Sequence, residues 1–127
     1  MPDQIIIKKK ITNFRKKIFV SGDKSISIRW VLFASIASGI SKARNLLISE
    51  DVLAAINMIK KFGIKVVQKR GLFIIFGKGI DGYKFRKNTV INAGNSATLG
   101  RLILGLIINS SKTIKLIGDK SLSRRDF

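Results

Sequence analysis

The stretch Gly22-Asp23-Lys24-Ser25-Ile26-Ser27-Ile28-Arg29 follows an apolar run and opens a helix that carries Ile26, Trp30, Val31, Phe33, Ile36 and Ala37. A helix apolar around so much of its circumference has to be buried between layers. Gly39 is expected to end it. A start near residues 23–25 puts Ser25 and Arg29 four positions apart on one face and Lys24 at the positive N-terminal end. Free backbone N–H groups, a hydroxyl and two cations then converge on a point suited to a phosphate or carboxylate. The plainer alternative is a capped helix with solvated cations. A P-loop is excluded, because Lys24 follows Asp23 and Ile18 stands where G-x-x-x-x-G-K-[ST] has its first glycine.

The rest of the chain supplies the layers. Residues 4–8, with Ile5, Ile6 and Ile7, and residues 17–20 read as short strands on either side of a polar stretch at Thr12 and Asn13. Residues 42–48 return as a strand. Ser49-Glu50-Asp51 opens a second helix with Val52, Leu53, Ile56 and Ile59 on its core stripe, Lys60 and Lys61 in its last turn and Gly63 just beyond. Glu50 and Asp51 read as acids matched to the helix dipole rather than as catalysts. Residues 64–68 and 72–76 form a hairpin through Lys69-Arg70-Gly71, followed by a glycine-rich stretch at 77–82 and a basic loop at 83–88. Val90 and Ile91 make a further strand. The segment 92–98 leads into a third helix with Leu99, Leu102, Ile103, Leu106 and Ile107 on its stripe and Thr98 and Arg101 on a polar side. Residues 113–117 form a last strand and 119–127 a loop. The order is β-α-β-α-β-β followed by β-α-β, one βαβαββ unit and the start of another. The turns at 22–25 and 94–98 both present Gly with hydroxyl or amide side chains at a helix start, a pair of anion cradles.

Composition narrows the chemistry. With no Cys and no His among 127 residues, disulfides, thiolate nucleophiles and thiolate or imidazole metal sites are excluded, and the seven carboxylates are scattered. No metal or cofactor is expected. The net charge of +18 suits a nucleic-acid binder. Yet the Lys and Arg clusters at 8–10, 16–17, 60–61 and 84–87 fall at the ends or turns of separate elements, with no aromatic-interleaved stripe. The expected partners are therefore anionic small molecules, with neither nucleic acid nor membrane. No apolar run reaches the roughly 18 residues of a span and no signal peptide is evident, so the expected location is cytoplasmic.

Four motifs in succession carry a resemblance: Gly22-Asp23-Lys24-Ser25-Ile26-Ser27-Ile28-Arg29; Asn45-Leu46-Leu47 with Glu50-Asp51-Val52; Gly94-Asn95-Ser96-Ala97-Thr98 with Arg101; and Gly118-Asp119-Lys120-Ser121-Leu122 with Arg125. In this order and separation they resemble the N-terminal part of the 3-phosphoshikimate 1-carboxyvinyltransferases, or EPSP synthases. The resemblance implies an α/β fold, part of an inverted α/β barrel of two lobes built from βαβαββ units, about one and a half of which are present. It implies that residues 1–20 pair within the other lobe, leaving an edge prone to aggregation, while residues 21–127 form part of the first lobe. It implies transfer of enolpyruvyl from phosphoenolpyruvate to the 5-hydroxyl of shikimate 3-phosphate in aromatic amino acid (chorismate) biosynthesis, by an enzyme expected to be monomeric when full length. Position by position, Lys24 would bridge the substrates and Ser25 and Arg29 would hold shikimate 3-phosphate. Asn95 and the Ala97 backbone would line the phosphoenolpyruvate pocket, Arg125 would clamp its phosphate and Arg101 would support it. Ile28 stands where many members have His or Asn, and Asp126 where proline usually follows the arginine. Ala97 matches a glyphosate-tolerant subgroup; sensitive members have Gly. No acid/base residue is assigned, so the chain alone is expected to be an inactive fragment. The rivals are a UDP-N-acetylglucosamine 1-carboxyvinyltransferase, which lacks the Asp-Lys-Ser-Ile-Ser stretch, and a small basic nucleic-acid-binding module.

Overall fold

Helix α1, Lys24–Ile36, is the first regular element in the computed structural model, which describes residues 4, 6–10, 12, 13 and 15–126. Asp23 fixes its start: its Oδ1 accepts the Ile26 N–H at 2.7 Å and its carbonyl accepts the Ser27 N–H. Only one face is buried, through Ser27, Ile28, Val31, Leu32, Ala34 and Ser35, where α1 packs on α2 and β3. Ile26 and Phe33 are 67% and 61% exposed, so the all-round burial expected of this helix is corrected. The two buried serines are tolerated because their hydroxyls bond: Ser27 donates to Asp23 O, and Ser35 donates to Leu32 O and meets Tyr83 Oη at 2.6 Å. Burial pushes the Tyr83 phenol above its ordinary pKa, with the Ser35 bond partly opposing, so it stays neutral. Ile28 is buried in the core.

The helix ends at Ile36, where Ala37 turns extended, so Gly39 is not its terminator. Gly39 instead lies within strand β1, Ser38–Arg44, opposite Gly77. The strand starts four residues before the expected 42 and stops when Asn45 takes a φ of 58°. Helix α2, Glu50–Lys61, starts and ends as its capping signals require, with Ser49 Oγ accepting the Val52 N–H. Its buried residues are Val52, Ala55, Ile56, Met58 and Ile59; Leu53, expected on the stripe, is 43% exposed. Strands β2, Lys65–Lys69, and β3, Leu72–Lys78, form the predicted hairpin. Arg70 and Gly71 both have positive φ, the two-residue turn whose twist matches paired strands. The sheet order is β1-β3-β2, all antiparallel.

Strand β4, Thr89–Asn92, helix α3, Ala97–Ile107, and strand β5, Ile114–Ile117, form a parallel βαβ crossover. The segment 119–126, read as a plain loop, contains a 3₁₀ turn at Leu122–Arg124 with Leu122 buried. The strands expected at 4–8 and 17–20 do not form among the described residues; Ile5 lies outside them. Strands need ladder partners, and the five strands present pair with one another. Ile6, Ile7, Ile18, Phe19 and Val20 are each more than 65% exposed.

The core joins Ile28, Val31 and Leu32 of α1 to Val52, Ile56 and Ile59 of α2, Phe73 and Ile75 of β3, Ile91 of β4, and Leu99 and Ile103 of α3. Gly22 determines how the segment entering α1 seats on this core. A Cβ there would lie 2.1 Å from the Asn45 carbonyl oxygen, a backbone atom. The same loop is tied by Asn45 Nδ2 to Val20 O at 3.2 Å and by the Leu47 N–H to Ser27 Oγ at 3.1 Å. Gly22→Ala is expected to cost about 1–3 kcal/mol as the loop is forced off the helix start. Urea unfolding monitored at Trp30 measures it; an unchanged midpoint would show that the contact is not needed.

Candidate functional site

Lys24 is the first residue of α1, and its Nζ lies 2.9 Å from Asp51 Oδ2 in the first turn of α2. The Lys24 side chain is 53% exposed and that of Asp51 15%. One ion pair therefore brings two helix N-termini together, with Asp51 offsetting part of their combined positive potential. Ser25 is half-buried and Arg29, one turn on, is exposed. The acid read as a dipole-matched starter occupies the first turn, as expected, and also holds the Lys24 ammonium.

A second group forms around the start of α3. Asn92 Oδ1 accepts the Gly94 N–H at 2.8 Å, Gly94 has a φ of 58°, and Ser96 Oγ accepts the Leu99 N–H at 3.2 Å. Ala97 then begins the helix, in the turn whose backbone N–H groups lack intrahelical acceptors. Asn95 is exposed, and its Nδ2 lies 2.5 Å from Asp119 Oδ2. Asp119 Oδ1 accepts the Leu122 N–H at 2.7 Å, and the Asp119 N–H donates to Gly94 O at 2.8 Å. The Leu122 N–H and then the Asn95 amide hold the Asp119 carboxyl below the ordinary carboxylate range, with Arg125 adding a smaller charge effect. Arg101 donates to the Asp126 carbonyl at 3.4 Å, and Arg125 Nη2 lies 3.5 Å from Ser121 Oγ.

The structure thus brings Asn95, Ala97, Arg101 and Arg125 to one loop cluster, and Lys24, Ser25 and Arg29 to another. Helix α2 connects the two. Asp51 touches Lys24, and Ala54, about 4.5 Å further along the helix axis, shares with Gly94 a groove of about 490 Å³ also lined by Asn57, Met58, Lys61 and Asn92. Leu32 and Phe33 of α1 line a small cavity with Leu102, Gly105 and Leu106 of α3, so these two helices lie side by side. Arg125 lines a different groove, of about 390 Å³, with Leu116, Ile117, Gly118, Leu122 and Ser123. Sequence reasoning gave no role to Asp119 or Ser27 and no partner to Lys24. A signal existed for Asp119: an Asp three residues before a buried apolar residue is a standard arrangement for capping a turn. No helix among the described residues is long and apolar enough to cross a membrane.

The pattern of the family described as EPSP synthase (3-phosphoshikimate 1-carboxyvinyltransferase) matches residues 8–126. The chain is similar to a 3-phosphoshikimate 1-carboxyvinyltransferase of Sulfurihydrogenibium sp. (strain YO3AOP1), 37% identical over 117 residues, which cover 92% of this chain and 27% of the relative. One from Bacillus cytotoxicus is 42% identical over 108 residues, covering 85% of this chain and 25% of the relative. Among solved structures, EPSP synthase from Acinetobacter baumannii superimposes with a TM-score of 0.74 at 34% identity, over 87% of this chain and 25% of that one. The chain spans about a quarter of the length of these relatives.

Proposed function

This chain belongs to the EPSP synthase family, and from that premise we propose that it carries part of the substrate site of an enzyme moving enolpyruvyl from phosphoenolpyruvate to shikimate 3-phosphate. The observation that supports this reading best is the gathering of helix starts. The N-termini of α1 and α2 are bridged by Lys24 and Asp51, and α2 in turn borders the groove at Gly94, before α3. Helix N-termini and nearby cations suit a pair of phosphorylated anions, which repel one another unless positive charge lies between them. In this reading Lys24 bridges the two substrates, and Ser25 and Arg29 hold shikimate 3-phosphate. Asn95 and the Ala97 backbone line the phosphoenolpyruvate side, Arg125 clamps its phosphate with a bidentate fork, and Arg101 supports that loop through the Asp126 carbonyl. Of residues 1–20, those described form no strand here and, in this reading, pair within the other lobe of the two-lobed fold. The partners are these metabolites, not nucleic acid or membrane, in a monomeric cytoplasmic enzyme.

The test is a composite enzyme in which this chain replaces the matching quarter of a relative. Phosphate release requiring both substrates is expected; a folded composite without it would refute the assignment. The 127-residue chain by itself is expected to show no turnover, because it spans about a quarter of its relatives' length and acid–base catalysis needs groups within hydrogen-bond reach of the reacting atoms. Turnover by that chain would overturn the second expectation and leave the first intact.

Ala97 sets a further expectation for the composite. A methyl at the first position of α3 leaves room for phosphoenolpyruvate and crowds the longer phosphonate glyphosate. Overpacking of this kind costs about 1–3 kcal/mol, so Ala97→Gly should lower the inhibitory glyphosate concentration roughly tenfold to a hundredfold. Equal inhibition of the two forms would contradict this.

A further inference from the structure

We propose that Asp119 is a positioning residue for the phosphoenolpyruvate side of the site, acting through Asn95; the proposal rests on the reading above. An exposed asparagine at a turn ordinarily samples several rotamers and both amide orientations. Here Asp119 Oδ2 lies 2.5 Å from the Asn95 amide nitrogen. An ionised carboxylate only accepts hydrogen bonds, so the amide must face it with its NH₂ group, leaving Oδ1 and the second N–H at fixed angles.

Asp119 is itself immobilised. Its second carboxylate oxygen accepts the Leu122 N–H, its own N–H donates to Gly94 O, and its carbonyl accepts the Ser123 N–H at 2.9 Å. The bond to Gly94 fastens the loop after β5 to the turn before α3, one residue before Asn95, and the other two fold that loop around Asp119. Capping of the 3₁₀ turn needs only Oδ1, so the bond from Oδ2 to Asn95 is surplus to that structural role. A carboxylate beside an anion pocket also repels the ligand. Its presence there is accounted for by the geometry it imposes, with Arg125 supplying compensating charge.

The two roles can be separated with Asp119→Asn. The new amide oxygen can still cap the Leu122 N–H, but its NH₂ now faces the NH₂ of Asn95 and drives that amide to turn over. Titration of the composite enzyme with phosphoenolpyruvate and, separately, shikimate 3-phosphate is the experiment, with the Asn95 side-chain amide followed by ¹⁵N NMR. The expected result is a tenfold or greater loss of phosphoenolpyruvate affinity, shikimate 3-phosphate affinity within twofold of wild type, displaced Asn95 side-chain signals and an unchanged urea midpoint. Equal weakening of both ligands, or unchanged phosphoenolpyruvate affinity, would overturn the positioning role and leave the site reading standing. A folded composite with the wild-type sequence that binds neither ligand would overturn both.

Discussion

Lys24→Met in the composite enzyme is expected to lower kcat/KM by at least about a hundredfold, roughly 2.7 kcal/mol of transition-state stabilisation. The ammonium stands where two helix N-termini meet, 2.9 Å from Asp51. Without it, two multiply charged anions would have to approach with no cation between them, leaving the helix ends, Arg29 and Arg125 at the periphery to oppose their repulsion. Met keeps the length and apolar stem of Lys, so the packing of α1 is preserved. With Lys24 53% exposed, the ion pair contributes at most about 1 kcal/mol to stability. A large loss of turnover with nearly unchanged unfolding is therefore predicted. Steady-state kinetics beside urea melts distinguishes this from a structural role, in which both would fall together.

Phe62→Ala is expected to destabilise the chain by about 3–5 kcal/mol, a large part of the 5–15 kcal/mol that ordinarily separates folded from unfolded domains. Phe62 caps the C-terminus of α2, is fully buried, and packs against Tyr83 and Phe85 at ring-centroid distances of 4.9 and 5.3 Å. Its carbonyl accepts the Lys84 N–H, so the same residue fastens the 83–88 segment to the helix. Since α2 connects the two groups of site residues, loosening its far end should also weaken ligand binding at its start. Denaturant unfolding measures the first effect. A loss below 1 kcal/mol would mean that the aromatic cluster is not part of the core.

What could be read from the sequence depended on how local the determining physics is. Helix α2 was legible because its acids, lysines and Ser49 cap act within a turn of the backbone they stabilise. The hairpin was legible because Arg70-Gly71 satisfies a turn rule with no tertiary input. The buried face of helix α1 was not, since apolar residues lie on all its sides. Contact with α2 and β3 selected the face bearing Ser27 and Ser35 and left Ile26 and Phe33 outside. β1 began early because Gly39 pairs with Gly77, far along the chain. The strands expected at 4–8 and 17–20 do not form among the described residues, because apolar composition alone cannot supply a pairing partner. For the site, the helix starts at Lys24 and Ala97 were readable from their caps, Asp23 and Ser96. The bonds Lys24–Asp51 and Asn95–Asp119 were not, because they join residues 27 and 24 positions apart.

The central claim is that the starts of α1 and α3 together hold two phosphorylated anions. Backbone ¹H–¹⁵N shift mapping of the chain under joint titration with shikimate 3-phosphate and phosphoenolpyruvate tests it most directly. The account predicts saturable shifts confined to residues 23–29, 51–54, 94–98 and 119–125 that persist at moderate salt. Shifts spread over the basic segments 60–61 and 84–87 and abolished by salt would contradict it, marking instead the nonspecific attraction of a chain of net charge +18 for any polyanion.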